Sequence, residues 1–582
     1  SGLSTKYQID HQNSSSPLVF KYYFAESGWT ESEKSSVKDA FKTFEGYISV
    51  DFLEGDLASA DLVLNKVNNA FYSLNSTSTS PPLAEALFPG WAAESSNPQL
   101  NIERIANFNS DYQGWNANAL IPGAEVFHAI IHEFGHALGL AHPHDDGFGS
   151  TIFPGVTSVS DLGDDAMNQG IWTMMGYNEG WDSKFPDWRD GRAYGYEATP
   201  MALDIKVLQA KYGARVETPD TNGSYNDIFT LPLSDTAGIA NFKCIYDTLG
   251  VDQISALGSM LNVVIDLRQA EITGAHAGGY VSYAEGIHGG LTIANGAVIE
   301  QALGGLKNDH LIGNSANNLL DGRSGTDTME GGLGNDTYVV YESSDIVMEN
   351  TNEGIDLIQS WVTYSLYDTD GLLSLKGGNV ENLRLMGAAA SSINGTGNAL
   401  SNVIYASAGS NVIDGAGGID TVSYAYGLIG TSGVMVSLNN PSAQATVGSG
   451  SDRLVSIENL TGSAYADTLT GNGSANVLTG GGGKDALTGG AGNDIFDFNA
   501  LTEMSTISTT WDVITDFVRG QDKIDLSTLD ANTATTTNDA FSGTLVTAFT
   551  AAGQLKLLAG VLYGNTDANI ATAEFAIQLT GV

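Results

Sequence analysis

Cysteine is nearly absent from this 582-residue chain, and positive charge is scarce. The single cysteine, Cys244, excludes an intrachain disulfide and a cysteine-based metal site. Lysine and arginine number 24 against 67 aspartates and glutamates, which gives a formal net charge of −43. Such a chain repels nucleic acid and anionic lipid and attracts cations. No uninterrupted apolar run reaches about 18 residues, so no membrane span is expected. Because of the negative net charge, no nucleic-acid partner is expected either.

The length predicts about three to five domains. Glycine is abundant, at 70 residues, and is concentrated after residue 213, where we place the first domain boundary. Residues 1–212 have the patterns of an α+β domain. A capping box, Thr30 to Glu33, predicts the start of a helix. The remaining patterns predict strands over 47–53 and 61–67 and helices over 124–140 and 201–212.

The second part of the chain has a nine-residue period. Glycine-rich units begin at Gly304, Gly313, Gly322 and Gly331, recur over 397–423, and begin again at Gly462, Gly471, Gly480 and Gly489. A glycine- and asparagine-rich linker is the alternative interpretation, but it would not keep the apolar positions in phase. The period therefore predicts a parallel β-roll, in which glycines adopt positive φ and each unit ends in a short strand.

The sixth position of each unit carries an oxygen ligand for calcium. Because calcium takes about 6–8 oxygens, two stacked turns are needed for one ion. The predicted calcium ligands are Asp309, Asp327, Gly332, Gly334, Asp336, Asp420, Asp467, Gly481, Gly483, Asp485, Gly490, Gly492 and Asp494. Units with Asn318, Asn402, Asn411 or Asn476 at this position lack one charge and are expected to bind calcium more weakly or not at all.

A histidine-rich segment, residues 132–142, carries the predicted chemistry. His132 and His136 are four residues apart, so on a helix they share one face and can bind one metal ion. Gly139 permits the helix to stop, which brings His142 round as a third ligand. Three nitrogens with an open position suit catalytic zinc. Glu133 is then placed to take a proton from a water molecule that the metal polarises and to pass it to the leaving amine.

Two further histidines flank this segment. His128 lies four residues before His132, and His144 follows His142 closely. For both, a position in solvent or in support of the metal ligands is expected, and not ligation itself.

Residues 132–142 match the zinc motif of the metzincins, and Thr173-Met174-Met175-Gly176-Tyr177 resembles their methionine-containing turn. The resemblance implies that Met175 lies beneath the metal. In the serralysin family a tyrosine at the position of Tyr177 can ligate zinc and stabilise the oxyanion; a packing tyrosine is the alternative. Family members usually carry serine where this chain has Gly176.

Nearly the whole chain resembles serralysins, which join a zinc protease domain to a calcium β-roll. Residues 208–214 resemble their domain junction, 298–305 the entry to the roll, and 511–526 the segment after the last repeats. The predicted fold class is therefore multidomain: an α+β metzincin zinc-protease domain followed by an all-β calcium-binding parallel β-roll region. We predict β structure, continuing or capping the roll, in the spacers between repeat blocks.

The predicted domains follow from these boundaries. They are the metzincin-like domain 1–212, a β-rich entry 213–303, a first repeat block 304–339, a spacer 340–396, a second block 397–423, a spacer 424–461, a third block 462–498 and a C-terminal β region 499–582 that leads to a secretion signal.

The resemblance also implies cofactors, partners and location. It implies one catalytic Zn²⁺, several structural Ca²⁺, protein or peptide substrates, the type I secretion machinery, a proteinaceous inhibitor, a monomeric state and an extracellular location. No basic-then-apolar signal peptide opens the chain. The family's terminal acidic residue and apolar tail do not follow Val582, so a clipped end is expected.

The leading hypothesis is a secreted zinc endopeptidase. A calcium-dependent adhesin or surface-layer protein with a non-essential protease domain is the first alternative, because the repeats alone permit it. A zinc hydrolase that acts on something other than peptide is the second.

Overall fold

The computed structural model describes residues 17–25, 28–69, 82–87, 105–112, 115–145, 151–178, 180–181, 194–219, 224–367, 377–428 and 430–582. The chain divides into two compact units, Ser1–Asn318 and Leu319–Val582. This division falls inside the first repeat block.

The first unit begins with an α+β region built on a five-stranded sheet. Its strands are β1 Leu18–Ala25, β2 Val50–Glu54, β3 Leu62–Val67, β4 Ala84–Leu87 and β5 Ile105–Asn109. The spatial order is β2-β1-β3-β5-β4, and β4 is antiparallel to β5 whereas the other neighbours are parallel.

In the described part of this region three α-helices accompany the sheet: α1 Glu31–Glu45, α2 Glu125–Ala137 and α3 Ala202–Tyr212. The predicted capping box at the start of α1 is present, with Thr30 and Glu33 bonded reciprocally. Phe41 of α1 stacks on Phe134 of α2, with ring centroids 4.2 Å apart, inside an apolar cluster shared with the sheet. This packing fixes α2, which carries the histidine motif.

The predicted first-domain elements are present, with corrected ends. The strand predicted over 47–53 begins only at Val50, because Ile48 still donates its backbone N–H to Phe44 at the end of α1. The helix predicted over 124–140 ends at Ala137, where Leu138 caps it. No helix in the described ranges is long and apolar enough to cross a membrane.

The rest of the first unit contains short strands. They are β6 Ile228–Thr230, β7 Phe242–Ile245, β8 Gln253–Ser255, β9 Val263–Asp266, β10 Tyr283–Ala284, β11 Gly290–Ile293, β12 Gln301–Leu303 and β13 His310–Ile312. Most pairs among them are parallel, for example β6 with β8 and β9 with β13.

The second unit is built almost entirely from short strands. They are β14 Leu319–Asp321, β15 Thr328–Glu330, β16 Thr337–Val340, β17 Ile346–Met348, β18 Leu357–Ser360, β19 Tyr364–Ser365, β20 Asn382–Leu385, β21 Gly395–Thr396, β22 Val403–Tyr405, β23 Val412–Asp414, β24 Thr421–Ser423, β25 Met435–Ser437, β26 Gln444–Ala445, β27 Ser451–Val455, β28 Asn459–Ser463, β29 Thr468–Thr470, β30 Val477–Gly481, β31 Ala486–Thr488, β32 Ile495–Asp497, β33 Asp512–Ile514, β34 Lys523–Asp525, β35 Gln554–Leu558, β36 Val561–Asn565 and β37 Phe575–Leu579.

Alternate strands of this unit lie in different sheets. In the repeat blocks each strand pairs in parallel with the strand two units later, as β14 does with β16, β22 with β24 and β30 with β32. Two nine-residue units therefore make one coil of a β-roll. The second residue of each of these strands points inward, and Leu320, Ile404 and Leu478 are fully buried.

The spacers continue the roll, as predicted. Within residues 340–396, β18 pairs with β16 and β20 pairs with β18, and both pairs are parallel. Residues 368–376 lie outside the described residues. In the second spacer, β25 pairs with β29, and β27 pairs with β23. The coil length varies here, yet the inward positions stay apolar.

We expect Ile358→Ala to destabilise the roll, because Ile358 is fully buried in spacer strand β18. The loss of its side chain should lower the free energy of unfolding by about 2–5 kcal/mol. Denaturant unfolding in saturating calcium would measure it. Ile355→Ala, at a position 63% exposed in the same spacer, is the control and should change little. Equal effects of the two variants would show that the spacer is not part of the folded roll.

Candidate functional site

Helix α2 places His132 and His136 on one buried face. The helix ends at Ala137, and Gly139 then takes a φ of +93°, a conformation that favours glycine. Lys211 of α3 donates from Nζ to the Leu138 carbonyl at 2.7 Å, which satisfies a carbonyl at the helix end. The chain thereby reverses and returns His142 to the face of the helix.

The Nε2 atoms of His132, His136 and His142 lie close together. The Nε2 of His142 lies 3.2 Å from that of His132 and 3.0 Å from that of His136. The three residues form a group whose ligand atoms could hold one metal ion.

The opposite ring nitrogens are all engaged. The Nδ1 of His132 is 2.8 Å from the Met174 carbonyl, and that of His136 is 3.0 Å from the Leu140 carbonyl. Because a carbonyl only accepts, these Nδ1 atoms carry the hydrogen, and both Nε2 atoms present lone pairs. The Nδ1 of His142 contacts the Asp145 carboxylate at 2.7 Å. Lone pairs facing one another repel, so a cation between them fits this arrangement.

Burial keeps two of these imidazoles neutral. It lowers the pKa of His132 well below its usual value and that of His136 to about 4, and the neighbouring histidines act in the same direction. At neutral pH both rings are therefore in the form that binds a metal.

The methionine-containing turn packs directly beneath α2. A Cβ on Gly135 would lie 2.5 Å from Sδ of Met175 and 2.7 Å from Cε of Met174, so a side chain there would force the two methionine ends to shift. Asp204 of α3 holds the turn by accepting hydrogen bonds from the Thr173 hydroxyl and the Met174 N–H, both at 2.7 Å. Burial raises the pKa of Asp204 to about 6. Sequence analysis did not identify this aspartate, since nothing local distinguishes it.

Tyr177 and Glu133 flank the three histidines. The Tyr177 hydroxyl lies 3.0 Å from Nε2 of His142, and its ring stacks on His132 with centroids 5.5 Å apart. The tyrosine remains 46% exposed, so it faces the solvent side of the site. Glu133 is buried on the helix next to His132.

The flanking histidines differ in their surroundings. His128 is buried, and its Nδ1 lies 2.9 Å from the Glu197 carboxylate, so it supports the protein around the site and is not solvated. His144 stacks on His142, with centroids 4.9 Å apart, and contacts the Tyr177 ring.

The repeat turns have the conformation that the glycine pattern predicts. All six glycines predicted as calcium ligands have φ between +82° and +139°; they are Gly332, Gly334, Gly481, Gly483, Gly490 and Gly492. Such turns need glycine, because other residues are strained at these angles.

Three sixth-position aspartates present an unused carboxylate oxygen. The Oδ1 atoms of Asp420, Asp485 and Asp494 accept a backbone N–H from the turn stacked before them, at 2.8, 2.8 and 2.9 Å. Their Oδ2 atoms are buried and find no hydrogen-bond partner among the residues that the structure describes. A buried carboxylate oxygen without a partner is costly, so these turns fit calcium.

The carboxylates of two other predicted calcium ligands, Asp309 and Asp467, accept hydrogen bonds from the protein. Both oxygens of Asp309 accept backbone N–H groups, from Val263 and Gly305. Asp467 accepts from Val434 and Ser463. Asp327 and Asp336 are buried, and their backbone N–H groups donate to the next coil's aspartates.

In the turns with asparagine at the sixth position, the asparagine side chain makes hydrogen bonds within the protein. The Asn402 amide donates to the Val380 and Glu381 carbonyls, while its oxygen accepts from the Asn398 N–H. Asn476 has the same pattern. An amide N–H thus stands beside carbonyl oxygens where a cation would otherwise be needed.

The same series of hydrogen bonds, from a backbone N–H of one coil to a carboxylate of the next, includes aspartates that the nine-residue period did not predict. Each accepts a backbone N–H from the sixth position of the preceding coil; they are Asp345, Asp356, Asp452, Asp512 and Asp522. Irregular coil lengths hid Asp356, Asp452 and Asp522, whereas Asp345 and Asp512 lie a multiple of nine residues after their partners but in segments without the repeat glycines. Each except Asp452 stands directly before, or begins, a β-strand.

Family models match three parts of the chain. The matrixin model of the M10 peptidases matches residues 18–161, the RTX calcium-binding nonapeptide repeat matches 303–338 and 396–423, and the M10 serralysin C-terminal model matches 414–582. The fold and site therefore define a metzincin-like region followed by RTX repeats. The matrixin match implies a catalytic zinc, which the three histidines fit, and the repeats imply bound calcium.

Within that class the similar proteins are serralysins. Serralysin B of Dickeya chrysanthemi is 30% identical over 43% of this chain and 46% of its own length. The serralysin of Photorhabdus laumondii is 27% identical over 53% of this chain and 61% of its own length. Serralysin C of Dickeya chrysanthemi is 29% identical over 36% of this chain. The chain spans only about half the length of these relatives, and the serralysin resemblance is confirmed.

We expect Asp485→Asn to remove one bound calcium ion and to lower the melting temperature of the calcium-loaded roll, because its Oδ2 has no protein partner. Asn402→Ala should leave the calcium count unchanged. It should still lower the free energy of unfolding by about 1–3 kcal/mol, since buried carbonyls lose their donor. Equilibrium dialysis with metal analysis and thermal unfolding would measure both. A calcium count that Asp485→Asn leaves intact would contradict the assignment.

Proposed function

We propose that this protein is a secreted zinc endopeptidase that hydrolyses protein substrates, with a C-terminal roll that folds on calcium. The observation that carries the proposal is the convergence of three Nε2 atoms whose opposite nitrogens are held by the protein. The serralysin relatives support the same activity. Export by a type I machinery and an extracellular location belong to this proposal.

The residues of the site have separate tasks in this mechanism. His132, His136 and His142 would hold the zinc, which would supply a Lewis acid for the scissile carbonyl and lower the pKa of water. Glu133 accepts a proton from the attacking water and gives it to the leaving amine nitrogen. The Tyr177 hydroxyl donates a hydrogen bond to the oxygen on which negative charge develops. Its partial exposure leaves it facing the side from which substrate enters.

The two halves depend on different cations. In low calcium the buried carboxylates of the roll repel one another, whereas the zinc ligands have their own core and hydrogen bonds. When calcium is available, its binding removes this repulsion and contributes much of the folding free energy of the roll. Casein hydrolysis that a zinc chelator blocks would test the peptidase. A correctly zinc-loaded chain without activity on casein or a peptide library would favour the adhesin alternative.

Glu133→Gln should retain zinc and lose about 10²–10⁴-fold in kcat, the scale of general acid–base catalysis. Metal analysis and peptide hydrolysis would measure both quantities. Glu31→Gln, on the exposed face of α1, is the control and should be unchanged. Near-normal activity of Glu133→Gln would refute the role of this glutamate as the base.

Tyr177→Phe should lower kcat by about 10–1,000-fold with a smaller effect on KM, because only the hydroxyl donor is lost and the stacked ring remains. His142→Ala should instead lose zinc. An unchanged kcat in Tyr177→Phe would make this tyrosine a packing residue, and full zinc in His142→Ala would exclude it as a ligand.

A further inference from the structure

One sheet of the second unit carries an open groove on its outer face. The groove has a volume of about 450 Å³ and crosses the neighbouring strands β22, β24, β28, β30 and β32. Its lining includes Tyr405, Thr421, Tyr426, Asn459, Thr461 and Thr479. None of the residues that line it is a predicted ligand of zinc or calcium, so the metal sites described above leave this surface without a role.

Strand register places the outward side chains of the groove in rows across the strands. Tyr405 pairs with Ser423, which pairs in turn with Thr461. Thr461 pairs with Thr479, and Thr479 pairs with Asp497. Neighbouring positions in such a row are about 4.8 Å apart, the spacing of adjacent strands. A row of this kind suits a linear ligand that crosses the strands, because its repeating units can meet side chains at regular intervals.

Two tyrosines form one end of the groove. The ring centroids of Tyr405 and Tyr426 lie 5.4 Å apart, and Tyr426 is 47% exposed. The Arg384 guanidinium lies 4.0 Å from the centroid of the Tyr426 ring, and this contact holds the exposed ring in place. An apolar surface of a ligand can pack on such a fixed aromatic ring at low cost in side-chain entropy.

The groove is almost uncharged in a strongly acidic protein. Its lining residues all lie in the described part of the chain, and of these only Asp497 carries a formal charge, whereas the whole chain carries −43. The protein would therefore repel an anionic ligand, and a cationic ligand would find a single carboxylate. A peptide strand would gain no main-chain hydrogen bonds, because the face of a sheet presents side chains, whereas N–H and C=O groups are exposed at its edge.

We propose that this groove binds a linear, uncharged, β-linked polysaccharide that runs across the strands. The rings of Tyr405 and Tyr426 pack against the apolar faces of sugar rings. The side chains of Asn459, Thr461 and Thr479 exchange hydrogen bonds with sugar hydroxyls, because each of these side chains, like a sugar hydroxyl, can both donate and accept. The groove uses none of the zinc-site residues, so this inference does not depend on the proposed peptidase activity.

The test uses the calcium-loaded full chain and matched oligosaccharides. Cellohexaose and mannohexaose are neutral hexamers of β-linked hexoses, and hexamannuronate is the counterpart of mannohexaose with a carboxylate on every sugar. Isothermal titration calorimetry measures the dissociation constants of all three for wild type, Tyr426→Ala and Thr461→Val. Tyr367→Ala is the control, because it removes a tyrosine that is 56% exposed in the same unit but outside the groove. Thermal unfolding verifies the fold of each variant.

We expect a neutral hexamer to bind wild type and Tyr367→Ala equally, and hexamannuronate to bind more weakly. Tyr426→Ala should weaken the binding of the neutral hexamer about 10-fold or more, as loss of an aromatic anchor does. Thr461→Val should weaken it about 2- to 10-fold, since one hydrogen bond is lost. Valine keeps the branched shape of threonine, so this variant decides the matter even if Tyr426→Ala does not fold.

Three results would overturn the proposal. The first is that neither neutral hexamer binds wild type at millimolar concentration. The second is that hexamannuronate binds more tightly than mannohexaose, since recognition would then depend on charge. The third is that Thr461→Val, or a folded Tyr426→Ala, binds as tightly as wild type, since the oligosaccharide would then lie elsewhere on the protein.

Discussion

Both units depend on one constraint, which is that the fold buries atoms able to bind a cation close to one another or beside a turn. In the first unit two imidazole nitrogens with lone pairs face a third imidazole nitrogen across about 3 Å. In the second unit, aspartates such as Asp485 and Asp494 bury one carboxylate oxygen with no donor. Each arrangement costs free energy when empty and is stabilised by a cation. The shortage of lysine and arginine means that the protein supplies few such cations itself.

The two kinds of site reach this state by different means. The histidine site is fixed through the Nδ1 atoms, which face away from the point of convergence. The backbone carbonyls of Met174 and Leu140 accept hydrogen bonds from two of the rings, and Asp204 holds the turn that carries Met174. The repeat sites are held by stacking, because Asp420, Asp485 and Asp494 each use one carboxylate oxygen to accept a hydrogen bond from the preceding coil. Asparagine at that position closes the same ladder with its own amide N–H. A coil can therefore be stabilised either by an ion or by an amide, and the sequence contains both kinds of turn.

Much of this architecture follows from local sequence signals. The capping box at Thr30, the His132 and His136 spacing and the nine-residue period each involve residues close together in the chain, and each predicted the element found. Short-range patterns of this kind are legible because helix and strand periodicity alone place the side chains on one face. The strand ends were less accurate, as at Val50, because a preceding helix competed for the same backbone groups.

The sequence by itself determined the three histidines that converge, the glycine turns and the β-roll, since these depend on spacings of two to nine residues. Only the tertiary structure decided which carboxylates meet. Asp204 reaches the methionine turn from 30 residues away, and Asp356 lies one irregular coil after Asp336. Such contacts depend on strand register and coil length, and a change of two residues in a coil moves an aspartate out of any simple period. The position of Glu349 beside Gly331 is therefore visible only once β15 and β17 are paired.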